Sequence, residues 1–178
     1  MNNSTFDILK TILDKQMAMP KGRVWAYNGT QDMPQDSGLF IVLSFMERNP
    51  YGNNSKYEST QNGYQERQSV YVAEDILISL ISKNTDARDR VFEVPMALKS
   101  AYSQYIQEKN HLHIASIGQV MDSSFMESTA RLNRFDITCR VIRTYEQIID
   151  VDYYDKFYFD LWAKEEGDIL KTSFSIEE

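Results

Sequence analysis

A chain of 178 residues with 42% hydrophobic and 12% aromatic residues is long enough to bury the core of one domain and too apolar to stay disordered. Its formal charge of -7 argues against a protein that wraps DNA, because neutralising phosphates takes clustered Lys and Arg, and a mean hydropathy of -0.48 marks a chain that folds in water. The single cysteine, Cys139, excludes an intrachain disulfide and fits a small buried hydrophobe in a reduced compartment. No stretch approaches the ~18 uninterrupted apolar residues of a membrane-crossing helix. Met1 to Asp7 lacks the basic start of a signal peptide, so none is expected.

Phe6, Leu9, Leu13 and Met17 recur at helical spacing behind Ser4, with Asp7 in capping-box position, which predicts a first helix over about residues 4–18. Met19-Pro20-Lys21-Gly22 stops it. A loop follows to Gly38, with a short extended piece from Arg23 to Tyr27. Leu39 to Met46 is almost wholly apolar and suits a central strand covered on both faces. The tract from Asn49 through Gly63 is polar and turn-rich, and reads as a mobile hairpin arm over about residues 50–65 whose Tyr51, Tyr57 and Tyr64 can anchor at an interface.

Ser69 to Ser82 reads as the longest strand. Val91, Val94, Leu98 and Tyr105 then trace a second helix over about 86–108, kinked or split near residue 94 by Pro95. Leu112 to Met121 and Leu132 to Tyr145 complete the strands, joined by a small-residue loop through Ser123-Ser124 and Ser128-Thr129. In Arg134 to Val141, apolar odd positions alternate with polar even ones, the pattern of a half-buried strand with Arg134, Asp136 and Arg140 on its wet face. The order predicts an α+β fold: one four-stranded antiparallel or mixed sheet with two main helices packed on one face. The other face is left to solvent or to a neighbour. The expectation is a single domain over residues 1–178, with a C-terminal extension from about 150.

Signatures of catalysis are missing. There is no Gly-rich phosphate loop, nucleophile elbow or paired-histidine zinc helix, so no cofactor is expected. His111 and His113 would share a side of a strand, but two histidines alone are more simply polar residues at its mouth. Asp150, Asp152, Asp155, Glu165, Glu166 and Asp168 could serve a metal-dependent nuclease, yet without a basic groove to hold a nucleic-acid backbone a solvated acidic tail fits better. The aromatic run from Tyr153 to Trp162 has only Lys156 and Lys164 beside it, so Tyr153 and Tyr154 read as interface residues rather than base-stacking ones. Arg134, Arg140 and Arg143 are candidates for a charged subunit boundary. A monomeric adaptor remains a third reading beside an assembling protein and a small enzyme.

The ordered set Gly38-Leu39-Phe40-Ile41, Asn49-Pro50-Tyr51-Gly52, Arg90-Val91, Leu98-Lys99-Ser100, Tyr102-Ser103-Gln104, Gln107-Glu108 and Leu132-Asn133-Arg134-Phe135 resembles phage neck or tail terminator proteins. It is joined by Ser116-Ile117-Gly118 and Asp122-Ser123-Ser124, and covers roughly residues 38–145. The resemblance implies a tail-terminator-like fold and a structural virion protein, not an enzyme. It further implies a ring, usually of six copies, on the last layer of the tail tube at the tail-neck junction. The implied partners are other copies of itself, the tail tube protein, a neck or connector protein, and the sheath where the tail is contractile. DNA would pass through without specific binding, and no membrane is involved.

Overall fold

The computed structural model describes residues 4–27, 34–60, 63–127, 130–151, 156–165 and 168–177. Along them run α1 (Thr5–Gln16), β1 (Val24–Ala26), β2 (Phe40–Thr60), β3 (Gly63–Ser82), α2 (Asp86–Arg90), α3 (Glu93–Leu98), α4 (Ala101–Lys109), β4 (Leu112–Asp122), β5 (Phe125–Glu127), β6 (Ala130–Val151), β7 (Lys156–Glu165) and β8 (Asp168–Glu177). The class is α+β, with a larger sheet than the expected four strands: six strands in the order β1-β2-β3-β6-β4, with β5 also on β6. β1 runs parallel to β2 while β4 runs antiparallel to β6, so the sheet is mixed. A second, two-stranded sheet pairs β7 with β8. The chain divides into two compact units, Met1–Asn53 with Ser69–Tyr145 and Asn54–Gln68 with Glu146–Glu178.

In the first unit, α1 begins where the Ser4 and Asp7 spacing predicts. Ser4 Oγ accepts the Asp7 N–H and the Asp7 carboxylate accepts the Ser4 N–H, both at 3.2 Å. This reciprocal cap satisfies two otherwise orphaned donors and contributes about 1 kcal/mol. The helix closes at Met17, and Ala18 turns the chain with a left-handed φ of 48°. Arg90 donates to the Met17 carbonyl at 2.5 Å, and its hydrogen bond to Glu93, 2.7 Å at the closest, holds its pKa above the ordinary arginine value.

The second predicted helix is three helices, α2, α3 and α4. Pro95 occupies the first turn of α3, where its missing amide hydrogen leaves no intrahelical bond unmade. The chain breaks instead at Val91–Phe92 and at Lys99–Ser100, where extended Ser100 caps α4 by accepting the Ser103 N–H at 3.1 Å.

Ile8, Leu9, Ile12 and Leu13 of α1 share one core with Ile41, Leu43, Ile76, Ile78, Leu80, Ile137, Cys139 and Val141 of the sheet. Each fully buried aliphatic side chain of this kind stabilises by about 1.5–3 kcal/mol before the entropy of ordering is counted. Val91, Val94, Ala97 and Leu98 close the same core from the helical side. Alternate positions form a smaller cluster of Trp25, Phe40, Val42, Ile81 and Leu132, with the Trp25 and Phe40 rings stacked at 5.2 Å.

The arm expected over about residues 50–65 is a hairpin of neighbouring strands, and two details of the sheet differ from the sequence reading. The polar tract after Asn49 belongs to two strands, β2 and β3, which are neighbours in the sheet; backbone pairing satisfies each strand's amides whatever its side chains are. With 22 residues, β6 rather than β3 is the longest strand. The small-residue loop after Asp122 contains β5, which pairs Phe125 with Leu132 and Met126 with Arg131. At this corner the Ser124 N–H meets Asp122 Oδ1 at 2.9 Å and the Ser123 N–H meets the Arg134 carbonyl at 2.9 Å. Gly118 sits at a register shift in β4, where a Cβ would stand 3.3 Å from the Thr138 carbonyl oxygen.

In the second unit, side chains link the strand ends. Gln65 Nε2 donates to Asp150 at 2.7 Å, Arg67 lies 3.5 Å from Glu58 and 3.6 Å from Glu146, and Ser55 donates to Glu66. β7 and β8 pair without a register break from Lys156 opposite Glu177 to Glu165 opposite Asp168.

Candidate assembly surface

The sheet positions that alternate with the helix-covered core carry a band of paired charges in the first unit. Arg140 donates to Asp75 through two hydrogen bonds of 2.7 Å, and the Arg140 guanidinium holds the Asp75 carboxyl below the usual carboxylate range. Beside it, Arg134 Nε donates to Asp136 at 3.0 Å, and Ser79 Oγ donates to the same carboxylate at 2.5 Å. The expected wet face of β6 is therefore charge-balanced and part-buried: Asp136 and Ser79 are buried, Arg134 is partly buried and Arg140 is exposed.

Arg143 departs from the expected boundary residue. It is only 4% exposed, its Nη1 lies 3.5 Å from Thr5 Oγ1, and its guanidinium carbon lies 5.1 Å from the centre of the Tyr145 ring. Its odd position on β6 puts it with Val141 and Cys139, so it is an internal residue. The same polar network holds Glu74, which is fully buried: Thr5 Oγ1 donates to its carboxylate, as does Tyr145 OH at 2.9 Å, and Arg48 Nε lies 3.3 Å away. Burial first, and the bond to Glu74 second, push the Tyr145 phenol above its ordinary pKa. Glu74 was missed from sequence, although a carboxylate in step with Val70, Val72, Ile76 and Ile78 was its signal.

Aromatic side chains supply the exposed apolar surface. Tyr51 is exposed and its ring centre lies 6.2 Å from that of Tyr71. An open groove of about 1100 Å³ runs beside them along β4, lined also by Lys99, Gln107, His113 and Ile117. In the second unit Tyr57 is 68% exposed and Tyr64 is half-buried. Tyr153 and Tyr154 lie outside the described residues.

The residues of the resemblance do architectural work. Gln107 accepts the Ile114 N–H at 2.9 Å and donates to buried Ser103 at 2.9 Å, tying α4 to β4. Asn133 donates to the Asn84 carbonyl at 2.7 Å, fastening β6 to the turn before α2. A family profile described as phage neck terminator protein matches residues 3–160.

The chain belongs to the phage neck terminator protein family.

No curated protein matches it. Membership implies a structural role at the neck and tail of the virion for this neck terminator. His111, with a left-handed φ of 50°, lies just before β4, and His113 is exposed on it. Among the described residues, no group of three His, Cys, Asp or Glu side chains is placed to hold a metal ion. Of the acidic set, Asp150 is bonded to Gln65, Glu165 and Asp168 are cross-strand partners, and Asp152, Asp155 and Glu166 lie outside the described residues. No described helix is long and apolar enough to cross a membrane.

Proposed function

We propose that this neck terminator forms a closed ring of identical copies at the neck end of the tail tube, where it ends tube growth and offers the surface that the connector meets. The family match across residues 3–160 carries the reading. Six copies is the number the resemblance implies. Its partners are further copies of itself, the tail tube protein, a neck or connector protein and, in a contractile tail, the sheath. A closed ring needs two different, complementary patches on every subunit. Exposed Tyr51 and Tyr57, half-buried Tyr64 and the balanced pairs at Arg134 and Arg140 are the candidate contacts, as are Tyr153 and Tyr154 by sequence. Arginines already matched to carboxylates would enter a contact as neutral pairs, which costs less desolvation than unpaired cations.

The net charge of -7 favours a lumen lined by carboxylates through which DNA slides without specific binding. At physiological salt such charges act over about 8 Å, and the isolated chain is expected to bind free DNA no more tightly than about micromolar. The test is a phage whose copy of this chain is interrupted. Tails of uncontrolled length that fail to join heads support the proposal; normal virions lacking the chain refute it.

A further inference from the structure

Among the described residues, β4 and the β7–β8 hairpin both present open strand edges. β4 is the last strand of the six-stranded sheet, and β7–β8 is a two-stranded sheet by itself. An open edge exposes a row of N–H and C=O groups that readily templates another strand. Each strand of the hairpin, with 10 residues, is long enough to cover the later part of β4.

We infer that the β7–β8 hairpin of one copy adds to the β4 edge of a second copy, making the head-to-tail contact of the ring. This rests on the ring proposed above. Two unlike patches on one chain, a donor hairpin and an acceptor edge, are what a closed heterologous ring requires. Backbone pairing supplies the affinity of strand addition, and side chains flanking the edge supply its specificity.

Three observations locate the acceptor on the later part of β4. Near its start, the Ile114 N–H is already taken by Gln107 Oε1 at 2.9 Å, so that part of the edge is occupied. Register shifts between Ile114 and Ser116 and between Ile117 and Val120 bend the strand, which discourages indiscriminate pairing. Beyond them stand Met121, Phe125 and Met126, exposed by 50%, 48% and 67%. Met121 and Phe125 stand opposite Asp136 and Leu132 on one face of β6, where exposed apolar side chains suit a contact surface. The hairpin's sequence suits that surface, with Phe157, Phe159 and Leu161 at alternate positions of β7, and Phe174 and Ile176 opposite Phe159 and Phe157.

Hydrogen exchange on the full chain, compared between the free subunit and assembled tails, tests the inference. Amides of Ser116–Met121 and of one strand of the β7–β8 hairpin are expected to slow together by about tenfold or more on assembly. A full-length Met121→Lys variant should keep the free subunit's exchange pattern and lose that joint protection. Equal exchange at Ser116–Met121 in both states, with the ring present, overturns the strand exchange and leaves the ring standing. Protection already complete in the free subunit overturns it as well, because the edge would then be filled within one chain. Absence of the chain from purified tails overturns the ring and the strand exchange together.

Discussion

Arg140 clasps Asp75 through two hydrogen bonds of 2.7 Å, joining β6 to β3 on the sheet side away from the helices. The pair explains how an arginine can stand on an open sheet without leaving a free cation there. With the Arg140 side chain 55% exposed, water screens the pair and its contribution to stability is small.

Arg140→Ala should therefore destabilise the chain only slightly at neutral pH. The Asp75 pKa is held below its unfolded value, so the pair's contribution is present above about pH 4 and is lost as pH falls through the lower, folded-state pKa. Urea melts of wild type and variant should differ at pH 7 and converge in stronger acid. An unchanged gap at both pH values would contradict this.

Glu74 is a different case, because its carboxylate is buried and accepts from Thr5 and Tyr145. Glu74→Ala leaves buried donors without an acceptor and should cost about 3 kcal/mol, while Tyr145→Phe should cost about 1 kcal/mol. The raised Tyr145 pKa adds an alkaline signature. Its contribution is complete below the unfolded value near pH 10 and is lost as pH rises through the folded value, so Tyr145→Phe should flatten the alkaline fall in stability. Thermal melts across that range supply the check.

The elements that announce themselves locally were the legible ones. Ser4 with Asp7 fixes the start of α1, and the alternation around Ile137 fixes the core side of β6. What escaped the sequence depends on partners far along the chain. Pro95 was legible as a helix interruption, but whether it breaks or begins a helix turned on Ser100 and on the turn at Val91–Phe92. Arg143 reads as surface by residue type, and Thr5, 138 residues away, helps bring it inside. Cys139 was readable because an apolar strand position needs no partner to be understood.

The Cys139 thiol is pushed up to about 12, first by burial and then by the nearby Asp75 charge. Reaction with a thiol reagent at pH 8 should be about a thousandfold or more slower in the folded chain than in the unfolded one. Stopped labelling followed by mass measurement reads this directly. A native rate near the unfolded rate would mean that β6 opens freely.

Replacing residues 54–67 with a short turn removes Tyr57 and Tyr64 while leaving the core of the first unit untouched. The shortened chain should melt within a few degrees of wild type and fail to incorporate into tails, as expected of an arm that serves contacts. Loss of folding on shortening would place the segment in the stability of the first unit instead.

The central claim is a closed ring of this chain at the neck end of the tail. Electron cryomicroscopy of purified tails, with this chain marked by an antibody fragment, measures it most directly. The account predicts a single ring of identical copies capping the tube at the neck end, with a lumen rich in carboxylates. Isolated copies scattered along the tail, or a capping ring that contains none of this chain, would contradict it.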